Sequence, residues 1–294
     1  MDWSRLAQTS GDVSMRLVDE GAPTTVELLD HGALALRVTV DVRPGDIAHL
    51  DWTAEQDTSV NSAAHAMRAL VRRLFTEFAV TRVQMVVPAS DRRQVQIAMR
   101  SGLRREAILR GGLFDGTAPV DAELFASLSG DPAPESAGGY TYMLDSIMAQ
   151  KRLISHVVMT DPAGRVLLCQ TTFKKDWELP GGIVEDGERP RIAAQREVEE
   201  EIGLQIEIGR LLAVDWLPPY LGWSDAIELL YDGGEYDAEL TARLQVDPRE
   251  IVRAEWFTVD ELADVVSPLN ARRLPLLLPQ KPDHTLHLES GQPA

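Results

Sequence analysis

Cysteine is nearly absent. The 294 residues contain one, Cys169, so no intramolecular disulfide can form and a reducing compartment is the expected setting. It lies in Val166-Leu167-Leu168-Cys169, where a lone thiol reads as packing. Long apolar runs are missing too: none approaches the ~20 residues of a membrane helix. The opening stretch MDWSRLAQTSGD lacks the apolar centre of a secretion signal. No membrane association is expected, and cytoplasmic residence is. Positive charge is in deficit. Lys and Arg number 29 against 46 Asp and Glu, for a formal charge of −17. Residues 151–294 hold −11 of it and residues 1–150 the other −6. No basic stripe exists to bind duplex nucleic acid. A small polyphosphate stays compatible if a divalent cation stands between it and the acidic protein. The rest of the composition, 44% hydrophobic and 26% charged, is globular and long enough for one large domain or two ordinary ones.

A break is expected at Ser129–Gly139, SGDPAPESAGG, which is rich in Pro, Gly, Ser and Ala and has no apolar periodicity. The reading is therefore a first domain at 1–128, a linker at 129–139 and a second domain at 140–294. The first reads as α+β. Strands are expected near 24–30, 33–42, 46–52, 82–87 and 103–109. A helix carries Ala63, Ala64, Met67, Leu70, Val71, Leu74, Phe75 and Phe78 at helical spacing, with Asn61 or Ser62 as its cap. A second helix runs from about 91 to 101 and ends at Gly102. The second domain reads as a mixed α/β sheet. Strands are expected near 153–160, 165–171, 205–215, 225–232 and 250–257, and helices at 189–202, 259–265 and 268–277.

The helix at 189–202 holds the informative oddity. Its end reads Arg196-Glu197-Val198-Glu199-Glu200-Glu201, and like charges three and four apart repel. At about 100° per residue, Glu197, Glu200 and Glu201 share an arc of about 100°. Ala194, Val198 and Ile202 form the adjoining inward face, and Glu199 points elsewhere. Three convergent carboxylates are hard oxygen donors suited to Mg²⁺ or Mn²⁺. A bound cation cancels the repulsion and attracts phosphate oxygens. Glu188, eight residues before Arg196, can pair with it and brace the loop. Gly181 and Gly182 let backbone approach closely, so a carbonyl there can join the metal shell.

Gly182, Glu188, Arg196-Glu197, Glu200-Glu201 and Gly203-Leu204 together fill every fixed position of a 23-residue pattern that resembles the Nudix box. Trp177-Glu178-Leu179-Pro180-Gly181 before it and Ala254–Leu262 after it resemble the family's flanking segments, so the likeness covers roughly 150–275. It implies an α/β/α sandwich with a mixed sheet. It also implies Mg²⁺- or Mn²⁺-dependent hydrolysis of the diphosphate in a nucleoside diphosphate derivative, a small-molecule substrate. By position, Gly182, Glu197, Glu200 and Glu201 would be metal ligands. Glu200 and Glu201 would serve the chemistry directly, with Glu188 and Arg196 in support. A general base often comes from outside the box, and Glu228, Glu235, Glu239 and Glu250 are open alternatives. Family members often pair, and a homodimer is left open.

The substrate signal is divided. Trp177 could stack on a base, and Lys174 and Lys175 could meet phosphate. Pro219 sits where ADP-ribose hydrolases carry a proline, and Tyr220 where dinucleoside polyphosphate hydrolases carry a tyrosine. Residues 24–112 resemble the later part of a GNAT acetyltransferase. The turn Thr58–Ala64 lacks the glycines that hold acyl-CoA phosphates, and the early helices have little room. The expectation is a truncated GNAT-like α+β module without acetyltransferase activity. His49 and His65 read as ordinary. Two alternatives remain at this stage: a nucleotide-metabolite sensor on a Nudix fold, and a bifunctional acyltransferase–hydrolase.

Overall fold

A computed structural model describes residues 2–7, 11–278 and 280–294. The chain is mixed α/β and divides into two compact units, residues 1–149 and 150–294.

The first unit contains β1 (Val13–Asp19), β2 (Thr24–Asp30), β3 (Ala33–Arg43), β4 (Ile47–Ala54), α1 (Val60–Phe78), β5 (Arg82–Pro88), α2 (Arg92–Arg100), β6 (Arg104–Phe114), β7 (Pro119–Leu128) and α3 (Ala137–Ile147). Among the described residues its sheet has the order β1-β2-β3-β4-β5-β7-β6. Every neighbouring pair is antiparallel except β4–β5, which are parallel. Alternating apolar positions on the strands meet the apolar stripe of α1, including Met67, Leu70 and Leu74. The expected cap at Asn61 or Ser62 lies earlier, at Ser59, whose side chain accepts from the Ser62 N–H. Ser62 and Asn61 are engaged elsewhere: Ser62 donates to Asp30, and Asn61 accepts from Arg100. Only residues 20–23 separate β1 from β2, too few for a helix. At the turn before α1, Arg93 donates to the carbonyls of Glu55 and Thr58.

The segment 129–139, read from sequence as a linker, is folded into this unit. Its polar and small residues make turns and a cap. Asp131 accepts from the Leu128 N–H, and Ser136 caps α3 through the Gly139 N–H. Arg105 of β6 then donates to Ser146 of α3. The division falls after Ala149 because α3 belongs with β6.

The second unit contains β8 (Arg152–Thr160), β9 (Val166–Thr171), β10 (Trp177–Glu178), β11 (Gly181–Ile183), α4 (Pro190–Ile202), β12 (Leu211–Leu217), β13 (Ala226–Glu235), β14 (Ile251–Phe257), α5 (Leu262–Val265), α6 (Pro268–Leu277), β15 (Leu286–Glu289) and β16 (Gln292–Pro293). The sheet order is β10-β9-β8-β13-β12-β15-β16, with β11 on β8 and β14 on β9. Alternation along β8 divides two cores. Val157 and Met159 pack with Ala194, Val198 and Ile202 of α4. Val158 packs with Leu274 and Leu277 of α6 on the other face. The sheet is thus sandwiched between helices. The strand expected at 205–215 starts at Leu211. Ile206 and Ile208 are buried without forming a ladder, and the carbonyl of Ile208 is taken by Arg191. No helix among the described residues is long and apolar enough to cross a membrane.

Candidate active site

The site is built where β11 meets α4. β11 pairs with β8, placing Gly181 opposite His156 and Gly182 opposite Ser155. Paired residues share a face. Gly182 therefore faces α4, and Gly181 faces the α6 side. A Cβ on Gly181 would stand 2.3 Å from the Ser155 carbonyl oxygen, and its φ of +130° excludes side chains. A Cβ on Gly182 would stand 2.8 Å from the Glu197 carboxyl. The two glycines do different work. Gly181→Ala is expected to cost about 1–3 kcal/mol of stability through backbone strain. Gly182→Ala, whose obstacle is a flexible side-chain end, is expected to leave melting little changed and to lower activity by about tenfold. Paired melting curves and rate measurements separate them.

α4 begins with Pro190 and ends at Gly203, which adopts a left-handed conformation. Ala194, Val198 and Ile202 are buried, as the wheel places them. Glu199 points away and accepts from Gln205. Arg196 organises the rest. It grips Glu188 with two 3.0 Å hydrogen bonds, and Glu188 also accepts from the Glu185 N–H. A second edge of the guanidinium donates to Glu197 and Glu200, each at 3.0 Å. Glu201 stands apart. It is 8% exposed and accepts the Gly181 N–H at 2.8 Å.

Burial raises the Glu197 carboxyl pKa, and it lifts that of Glu201 from 4.5 to about 7. The charge of Glu250, just before β14, pushes both in the same direction. Between pH ~4.5 and ~7 the folded protein keeps a proton on Glu201 that the unfolded chain releases. Stability without divalent metal should therefore fall as pH rises through that window. The Glu201 contribution approaches about 3 kcal/mol, and excess Mg²⁺ should cancel it. Urea midpoints at about pH 5 and about pH 7.5, with and without Mg²⁺, measure the effect.

Among the described residues, no three His, Cys, Asp or Glu side chains converge into a ready metal cluster. Arg196 stands between Glu197 and Glu200 instead. The donor set still fits a hard cation on two observations. Glu197 and Glu201 are acids whose charged forms are disfavoured as they stand. The Ser155 hydroxyl, opposite Gly182, is buried without a hydrogen-bond partner among the described residues.

The substrate residues read from sequence are scattered. Trp177 is 7% exposed and packs edge-on against Phe257 at 4.8 Å. It belongs to the core and cannot stack on a base. Lys174 pairs with Glu178, and Lys175 is exposed. Pro219 and Tyr220 are exposed on the turn between β12 and β13. Of the base alternatives, Glu228 is buried in ion pairs with His156 and Arg273. Glu235 and Glu239 lie at the end of β13 and in the following 3-10 turn. Glu250 is exposed and is the one whose charge reaches the box carboxylates.

The half-buried His156 and the buried Arg273 and Asp215 were not legible as a group. They lie 58 residues apart from Arg273 to Asp215 and 45 from Arg273 to Glu228. An arginine in the apolar stretch Arg273–Leu278 was the available signal.

With this geometry in place, comparison with known proteins is direct. The NUDIX domain family matches residues 150–277. These residues are a Nudix domain. A MutT-like protein from Streptomyces ambofaciens is 29% identical over 111 residues, covering 38% of this chain and 66% of that protein. An RNA pyrophosphohydrolase from Novosphingobium aromaticivorans is 28% identical over 136 residues, covering 40% and 83%. Among solved structures, a ribosomal-protein-S5-alanine acetyltransferase from Vibrio fischeri resembles the N-terminal part. It is 13% identical with a TM-score of 0.34, over 37% of this chain and 62% of that one.

Proposed function

We propose that the Nudix domain is a Mg²⁺- or Mn²⁺-dependent hydrolase. Its reaction would cleave a phosphoanhydride bond in a nucleoside diphosphate derivative, of the ADP-ribose or dinucleoside polyphosphate kind. The observation that carries this reading is one arrangement. Glu197, Glu200 and Glu201 lie along one margin of α4: Glu197 stands against Gly182, Glu201 takes the Gly181 N–H, and Arg196, locked to Glu188, holds Glu200 beside Glu197. Gly182, Glu197, Glu200 and Glu201 would hold the cation. When bound, it would neutralise charge on the phosphoryl group and lower the pKa of a bound water. Arg196 orients two of the acids, and the Gly181 N–H orients the third. Glu250 is our candidate for the proton acceptor, because of its electrostatic reach to Glu197 and Glu201. Water adds to phosphorus, the anhydride P–O bond breaks, and the water's proton leaves to the base.

Lys175, Pro219 and Tyr220, all exposed, are proposed substrate contacts. Cytoplasmic residence is also proposed. It is supported by the cysteine content: Cys169 is the one cysteine of the sequence, so no intramolecular disulfide can form. The test is hydrolysis of ADP-ribose, nucleotide sugars, NADH and diadenosine polyphosphates, with Mg²⁺ and with chelator. Turnover of one class that chelator stops is expected. No metal-dependent turnover of any phosphoanhydride would refute the reading.

A further inference from the structure

One peptide separates the carboxylate of Glu201 from a second set of charges on the other side of the sheet. Glu201 reaches Gly181 from the α4 side. On the α6 side, the Gly181 Cα closes on His156: a Cβ there would meet the His156 Cα at 2.8 Å and its ring carbon Cδ2 at 2.9 Å. The imidazole continues inward. Its Nδ1 lies 2.6 Å from Glu228. Glu228 is also bound by Arg273, which reaches Asp215 at 3.2 Å and Asn270 at 2.8 Å. Asp215 accepts the Gly291 N–H from the β15–β16 turn.

Arg273, Glu228 and Asp215 are each no more than 2% exposed. Read from Asp215, the series alternates anion, cation, anion. A protonated His156 completes it as a neutral set, which a dry interior favours. The attraction of Glu228 outweighs the burial that opposes it and holds the imidazole toward its charged form. The box shares out its positive partners accordingly. Arg196 serves Glu188, Glu197 and Glu200. Glu201 has no bond to Arg196 among these contacts and has the field of His156 instead.

We propose that His156 is a positioning residue for the hydrolase. Buttressed by Glu228, Arg273 and Asp215, it clamps the Gly181 peptide so that its N–H stays aimed at Glu201. The assignment rests on the hydrolase reading for its kinetic consequence but not for its structural one. The β15–β16 turn, far away in sequence, becomes the last link of the active-site support.

The test compares His156→Gln, Glu228→Gln and Asp161→Asn with the wild-type chain. Asp161 is a buried ion-paired acid near the far end of β8, about 17 Å along the strand from His156, and serves as the control for a purely structural loss. For His156→Gln we expect kcat about tenfold lower or more, with KM within about twofold. We also expect faster deuterium exchange confined to the Gly181 amide. Asp161→Asn should lower the melting midpoint and leave both readouts alone. If Glu228→Gln does not fold, His156→Gln decides alone. A kcat within about twofold of wild type together with unchanged Gly181 exchange overturns the assignment. So does a His156→Gln variant that behaves like Asp161→Asn. If the wild-type chain hydrolyses nothing, the hydrolase reading fails, and exchange at Gly181 still decides whether His156 holds the turn.

Discussion

The Glu200→Gln/Glu201→Gln double variant is expected to lose at least about a thousandfold in kcat and yet to fold at least as stably as the wild-type chain without metal. The two effects have opposite signs for one reason. Glu201 is a buried acid with a pKa raised to about 7, so its charge works against folding at neutral pH. Glutamine keeps an oxygen for the Gly181 N–H and removes the charge. The exposed Glu200 gives up only its bond to Arg196, worth little at the surface. What would be lost, on the proposed reading, is the cation. Metal stabilisation of phosphoryl charge contributes several kcal/mol, and about 4 kcal/mol corresponds to about a thousandfold in rate. Mg²⁺ at about a hundred times its Kd should raise wild-type stability by about 2.7 kcal/mol, and it should do much less for the variant. An active double variant, or one stabilised by Mg²⁺ as strongly as wild type, would remove the carboxylates from the mechanism.

That prediction draws on residues legible in sequence, and the reason is geometric. Glu188, Arg196, Glu197, Glu200 and Glu201 lie within 14 residues of one loop and helix. Local periodicity therefore decides which of them share a face. The wheel placed Ala194, Val198 and Ile202 inward and Glu199 away, and the structure agrees. It left Glu201 at the margin, whereas the Gly181 turn, supplied by another strand, closes over it. Trp177 shows the same limit. Its neighbours Lys174 and Lys175 suggest a binding edge, but Phe257 and Val266 come from 80 and more residues away to bury it. Ser129–Gly139 was misread because turns, caps and linkers draw on the same residue types. Only the contact of α3 with β6 distinguishes them.

The other large effect concerns what holds the site from behind. Arg273→Met should destabilise the Nudix domain by about 3–5 kcal/mol, the range for removing one partner of a buried ion pair. Methionine fills much of the volume, so the loss is electrostatic rather than a cavity. Among the described residues, Glu228 and Asp215 would remain buried with His156, the Gly291 N–H and each other. The pH dependence identifies the cause. In the wild-type chain, burial would raise the Glu228 carboxyl, but the charges of Arg273 and His156 overcome it and hold the group well below its ordinary range. Its folded-state pKa is thus depressed. The resulting stability is present above about pH 4.5 and is lost only in stronger acid. Without Arg273 the sign reverses. Glu228 would then resist ionising, and each rise in pH above about 4.5 would widen the deficit. The gap between Arg273→Met and wild type in urea should be largest near neutrality and shrink toward about pH 4. Adding Glu228→Gln and Asp215→Asn to Arg273→Met should recover part of the loss, because a charge that is absent needs no partner. A gap independent of pH would mean that Arg273 contributes by packing alone. The alternating charges from Asp215 to His156 would then be incidental to the stability of the domain.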